Sequence, residues 1–337
     1  MRPGTAAASI AARQRLPPER VPPFVPSSLD RWWFCLGSTP LCLLLVLAVT
    51  GVTLALHYAP DPDRAWASVL RIEQEMRFGW LVRGLHRTGA DLLALTALLH
   101  LARTYFCATY GPPRRLTWVT GCPLLGAVLA LGYTGRCLVW DQQAAWAAAA
   151  GGGLLRRLPV VGSPLALLVF GEPEVGGGTL ARLFVLHALL LPAGLLVLVL
   201  LHLERVRRLG VQGLEGGDAA PVPLWPGHAL VGLAAGLLAL GAAAFLCLLP
   251  APQLGPPAGA WAPQFAPRPS WYLAPLFLLL QHLPAGMVLA LLGAGGAVLA
   301  GWPWLEGWLG ACRLPQRVQM AVGLAAVGGL VALVLWE

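Results

Sequence analysis

The chain contains no lysine: all 23 of its basic residues are arginine. Charge of either sign is scarce, at 11% of 337 residues, where a soluble domain carries roughly a quarter. Together with 57% hydrophobic residues and a mean hydropathy of +0.69, that shortage excludes a soluble globular protein and leaves a polytopic membrane protein. The net charge of +8 therefore implies no nucleic-acid partner, because arginines of a membrane protein collect on cytoplasmic loops and around anionic groups between helices. The missing lysine accompanies abundant Ala, Gly, Leu and Pro and reads as genome compositional bias. Seven cysteines (35, 42, 107, 122, 137, 247, 312) form no CxxC, CxxCH or zinc spacing, so no disulfide framework and no iron–sulfur cluster follow from them. The first thirty residues lack the apolar core of a signal peptide, and the first span is expected to direct insertion.

The apolar runs predict an all-α membrane protein with seven transmembrane helices, at about 32–57, 79–106, 116–140, 179–203, 227–250, 272–300 and 317–336. A short surface helix is expected within 58–77, a tight basic turn at PPRR (112–115), and further surface helices within 141–178. Pro123 and Pro192 fall inside spans, where kinks are tolerated. The expected divisions are a cytoplasmic arm (1–31), a four-helix domain (32–210), a linker (211–226) and a three-helix domain (227–337). With the N-terminus inside, 13 arginines lie on cytoplasmic segments and six on outer ones, which favours N-in and C-out.

Two spans carry paired histidines. His86 and His100 are fourteen residues apart, and His187 and His202 fifteen. At 100° per residue those spacings return to about −40° and +60°, so each pair stays near one face, ~21 Å apart along the axis. Facing one another, two such helices create two stacked bis-imidazole sites at opposite depths of a bilayer. Neutral imidazole is a strong axial ligand of haem iron, and this is the geometry for two b haems. Arginines stand beside the histidines as cations for haem propionates: Arg83 and Arg87 flank His86, Arg182 precedes His187, and Arg103 follows His100. Gly37 and Gly51, like Gly121 and Gly135, repeat the fourteen-residue spacing on the two neighbouring spans, where a flat macrocycle needs a contact without a side chain. Such residues also serve plain helix packing. Asp91, four residues after Arg87, reads either as its ion-pair partner or as a proton carrier.

The runs FCLGSTP, GWLVRGLHR, LTWVTG, GYTG–LVWDQ, VVGSPL, TLARLFVLH and LHLERVRRLG, from Cys35 to Gly210, together resemble the cytochrome b family, most closely its b6 type. Beyond Val222 the chain looks like the subunit IV of such complexes, fused to the first half, chiefly through PSWYLAPLF at 269–277. The resemblance implies a di-haem subunit of a quinol:cytochrome c oxidoreductase of the bc1/b6f type, passing electrons from quinol across the membrane with proton translocation. His86 and His187 would hold the outer haem b and His100 and His202 the inner one. It further implies a covalent haem c on Cys35, and an inner cofactor site involving Arg207, with Arg114 another cofactor-binding cation. The outer quinol site would use Pro269, Ser270, Trp271, Tyr272, Trp140 and Asp141. There the family's Pro-Glu-Trp-Tyr reads Pro269-Ser270-Trp271-Tyr272, and serine is no base near neutral pH. Asp141 is the candidate replacement. The implied partners are a Rieske iron–sulfur protein, a c-type cytochrome, quinone and a second copy of the complex, in the bacterial cytoplasmic (inner) membrane. Two alternatives stay open: a transmembrane haem conduit whose outer quinol site is slow or lost, and a haem-free ion transporter or scaffold.

Overall fold

The computed structural model describes residues 24–25, 32–171, 174–209, 222–223, 226–227, 229–249, 254–259, 268–311 and 316–335. Most of the N-terminal arm and of the linker thus lie outside the described residues. The exceptions are two short strands, β1 (Phe24–Val25) and β2 (Val222–Pro223), which pair antiparallel and tie the arm to the end of the linker.

A 3₁₀ turn, Trp32–Gly37, leads into α1 (Thr39–Ala55), with Pro40 in its first turn, where a missing N–H costs nothing. The surface helix α2 (Ala65–Gln74) precedes α3 (Gly79–Phe106) and α4 (Arg115–Cys137). Two short helices, α5 (Gln142–Arg156) and α6 (Gly162–Phe170), occupy the long segment that follows and pack on each other. Next come α7 (Gly177–Val185), a π turn (Leu186–Leu190) and α8 (Leu191–Leu209), which run on as one 33-residue span. The C-terminal half supplies α9 (Ala229–Leu248), α10 (Ala274–His282), α11 (Ala285–Ala311) and α12 (Gln316–Leu335).

Among the described residues, five stretches are long and apolar enough to cross a membrane: Cys35–Ala55, Arg115–Cys137, Gly177–Leu209, Ala229–Leu248 and Ala285–Leu309. The 28-residue α3 falls outside that group because Arg83, Arg87, Asp91 and Arg103 interrupt its apolar surface. The expected sixth span (272–300) is not one helix. Leu283 is extended (φ −123°, ψ 148°) because Pro284 disfavours helical backbone before it, and the crossing helix begins after that break.

Helix α3 packs on α1 and α4, α4 packs on α8, and α9 covers α1 and α3. Among the described residues, α3 and α8 make at most marginal backbone contact with each other, so the two histidine helices face one another through their side chains. Inside a bilayer, helices associate through close packing, and small residues permit it. In α9, Gly232 lies against Ser38 and Gly236 against Cys42, while Gly84 of α3 lies against Cys247. The buried core of the bundle is Leu43, Leu93, Ala94, Val128 and Leu195. Each lies near the midpoint of its own helix's pair of histidines or glycines, so this apolar plug separates an upper tier from a lower one.

Candidate functional site

In each tier the histidines of α3 and of α7–α8 sit against glycines of α1 and α4. A Cβ on Gly51 would lie 3.1 Å from His86 Cε1, and one on Gly135 only 2.7 Å from His187 Cε1. In the other tier the corresponding distances are 3.3 Å from Gly37 to His100 and 3.6 Å from Gly121 to His202. Gly37, Gly51 and Gly135 therefore make room for the imidazole rings, while Gly121 stands at ordinary contact distance from His202.

The fifteen-residue spacing has a local cause in the backbone beside His187. At the π turn, the Leu191 N–H bonds to Leu186 O, five residues back, and one extra residue is absorbed beside His187. Downstream of it Pro192 offers no N–H to Ala188, so the wider turn is the backbone's way past the proline. Fifteen residues then span the phase of fourteen, and His202 returns to the face of His187.

Three histidines are held by a threonine that immediately precedes the facing glycine. Thr50 Oγ1 lies 2.9 Å from His86 Nδ1, Thr134 Oγ1 3.1 Å from His187 Nδ1, and Thr120 Oγ1 3.0 Å from His202 Nδ1. Each hydroxyl already donates its one proton to its own helix, to Val46 O (2.7 Å), Ala130 O (2.8 Å) and Thr117 O (2.9 Å) respectively. The hydroxyl must then accept from Nδ1–H, which fixes the tautomer and leaves the Nε2 lone pair for a metal. At Gly37 the preceding residue is Leu36, and His100 Nδ1 is buried with no hydrogen-bond partner. The Thr-Gly steps at 50–51, 120–121 and 134–135 were the missed sequence signal.

The ring centroids of His86 and His187 are 6.2 Å apart, at an interplanar angle of 77°. Two imidazoles bound through Nε2 to one ion, each by a bond of ~2.0–2.1 Å, bring their ring centres to roughly that separation. The donor set, the oriented tautomers and the ring separation fit a haem held between the two imidazoles of this tier, and the second tier repeats the helix and glycine placement.

The arginines divide by partner. Arg83 forms a 2.6 Å ion pair with Glu73, anchoring α2 to α3. Arg114 donates to Leu209 O (2.8 Å) and caps the end of α8, and burial lowers its pKa. Arg182 donates to Gly178 O (2.9 Å), and Arg207 grips Glu204 through two bonds of 2.8 and 3.2 Å. Arg87 forms no salt bridge among the described residues, and neither does Asp91, so the expected ion pair between them is not made. Arg103 lies three residues after His100 on α3.

Of the candidate quinol-site residues, Trp271 and Tyr272 pack on the central plug, their rings 5.3 Å apart and edge to face. The Tyr272 hydroxyl abuts Gly132 of α4. Ser270 O accepts the N–H groups of Leu273 (2.8 Å) and Ala274 (3.0 Å) and so starts α10, while Pro269 precedes it in extended chain. Trp140 and Asp141 lie on the adjoining turn, whose helix meets this segment where Arg268 N donates to Gln143 Oε1 (2.9 Å) and Trp146 packs edge to face on Phe277. Trp140 (φ +55°) makes the left-handed turn between α4 and α5 and is buried with Ala65 and Leu180. Asp141 is 2% exposed: Oδ1 caps α5 at Ala144 N (2.8 Å), and Oδ2 pairs with Arg136 (3.3 Å). Residues 254–259 strap this turn, through Gln142 N to Pro256 O (3.0 Å) and Ala258 N to Trp140 O (2.9 Å). Asp141 thus caps α5 and pairs with Arg136 in the same position. Cys35 is 1% exposed, in the 3₁₀ turn on which α9 packs.

A membrane helical bundle with two tiers of oriented imidazoles is the construction of a b-type cytochrome. The family profile described as Cytochrome b/b6/petB matches residues 21–210. The chain is 39% identical over 181 residues to the cytochrome b6 of Synechocystis sp., covering 54% of this chain and 82% of that protein. It superposes on a chain of a solved hyperthermophilic respiratory Complex III with a TM-score of 0.73 at 25% identity, covering 89% of this chain and 81% of that one. The chain belongs to the cytochrome b/b6 family and is the cytochrome b subunit of a bc1/b6f-type quinol oxidoreductase.

Proposed function

We propose that His86 and His187 hold one haem b toward the outer surface and that His100 and His202 hold a second toward the cytoplasm. The observation that carries this is the pairing of each imidazole with a helical glycine, repeated in two tiers. When bound, the two haems supply one-electron transfer across the apolar plug at Leu43, Leu93, Val128 and Leu195. The chain's residues do the rest. Threonines hold three Nδ1 protons away from the metal side, glycines set ring positions, and Arg87 and Arg103 stand as cations for propionates.

Quinol is the substrate, and the Pro269–Tyr272 segment borders its outer site. The chain acts within a homodimeric complex in a bacterial cytoplasmic membrane, N-terminus inside. A Rieske iron–sulfur protein accepts one electron and a c-type cytochrome lies beyond it. Quinol-driven cytochrome c reduction by the purified complex tests this. Turnover that stops with outer-site quinone analogues supports it. Haem reduction that those analogues leave untouched supports the second reading, an electron conduit without quinol bifurcation, which Ser270 favours.

A third haem, thioether-linked to Cys35, completes the proposal. Because that thiol is 1% exposed under α9, attachment requires α9 to stand off the 3₁₀ turn. A haem-stained denaturing gel decides it: an unstained chain leaves Cys35 a buried thiol.

A further inference from the structure

Asp91 is the least expected residue in α3. A carboxylate within a span is costly and needs a local reason. Asp91 makes no salt bridge among the described residues, but Arg87, one turn back, acts on the carboxylate by its charge and Trp271 by a side-chain hydrogen bond, and the residue lines a cleft. The cleft, about 250 Å³, is lined by Thr88, Asp91, Leu92, Leu95, Leu246 and Trp271. The Thr88 hydroxyl is already engaged with Gly84 O (2.9 Å) and Ala243 O (3.2 Å), which leaves Asp91 as the proton-accepting group of the wall. The remaining walls are leucines and an indole face. Asp91 follows His86 by five residues, about 7–8 Å along the helix axis.

A flat ring with a hydroxyl to donate and an apolar tail fits that lining. The volume, near the lower end of the ~300–1,000 Å³ of ligand pockets, suits a head group whose tail leaves between α3 and α9. We propose that this cleft is a quinol site and that Asp91, oriented by Trp271, accepts a hydroxyl proton from the bound quinol. The proposal rests on the reading of the chain as a quinol oxidoreductase subunit and locates the base that Ser270 cannot be. Oxidation of quinol to quinone breaks two O–H bonds and releases two protons and two electrons. One proton goes to the Asp91 carboxylate and the other to water at the membrane surface. The electrons go to one-electron metal-centre acceptors of the complex.

The test uses the purified, haem-loaded complex with a decyl-substituted benzoquinol. Asp91→Asn is expected to lower kcat about 100-fold with both haem bands retained, and Asp91→Glu to recover most of it. Leu95→Trp, at a position 41% exposed, fills the cleft from outside and is expected to raise KM for quinol while dithionite-reduced spectra stay unchanged. If Asp91→Asn disturbs haem loading, Leu95→Trp alone decides. Normal quinol kinetics in both variants overturns the proposal and leaves the subunit's function standing. A wild-type complex with both haems and no quinol turnover overturns the functional reading along with it.

Discussion

His187 Cε1 lies where a methyl group on Gly135 would stand 2.7 Å away, the tightest of the four glycine–imidazole approaches. Real Cβ atoms do not come that close, so any side chain at 135 must push the ring off its axis. At Gly121 the same construction gives 3.6 Å from His202, an ordinary contact.

Gly135→Ala and Gly121→Ala should therefore separate the tiers. The first is expected to weaken retention of the outer haem by about tenfold or more, as disturbed ligand positioning does, and the second to leave the inner haem in place. Haem content after extended washing, compared between the two variants, checks this.

Thr134→Val keeps the shape of the side chain and removes the acceptor for His187 Nδ1–H, a bond contributing about 1 kcal/mol. In an optical redox titration the outer haem's midpoint should shift and the inner one stay fixed. Thr120→Val should do the reverse through His202.

Asp141 separates a capping role from a catalytic one. Asp141→Asn retains an N-cap acceptor for Ala144, so quinol oxidation should run near the wild-type rate. Asp141→Ala should cost about 1–2 kcal/mol of stability, seen as a lower thermal inactivation midpoint of the detergent-solubilised complex. A large loss of turnover in the stable Asn variant would return Asp141 to the mechanism.

Arg114→Ala removes the donor to Leu209 O at the end of α8. The expected loss is about 1 kcal/mol, again read from thermal inactivation, with both haem bands unchanged.

The histidine tiers were legible in the sequence because helical phase is arithmetic: two residues fourteen apart must share a face. The glycines were legible for the same reason, although spacing alone did not say that imidazole rings lie against them. The π turn was hidden, since one absorbed residue leaves no compositional mark except the proline two positions after it. The partners of Asp141 and Trp140 were hidden because a motif gives neighbours in sequence, whereas those partners are Arg136, Ala65 and the strap at 254–259, which only the fold brings together. The break at Pro284 was readable from chain stiffness and was masked by the apolar run on either side. Asp91 stood out in sequence as an acid in a span near Arg87, whose charge does act on it, but its second partner, Trp271, lies 180 residues on and only the fold brings it there.

The central claim is that each tier takes one haem between two named imidazoles. Pyridine haemochrome quantification of the purified complex tests it most directly, with wild type set beside His187→Ala and His202→Ala. The account predicts two b haems per chain, with each variant losing one and keeping the other. Full haem content in either variant, or no b-type band in the wild type, would contradict it.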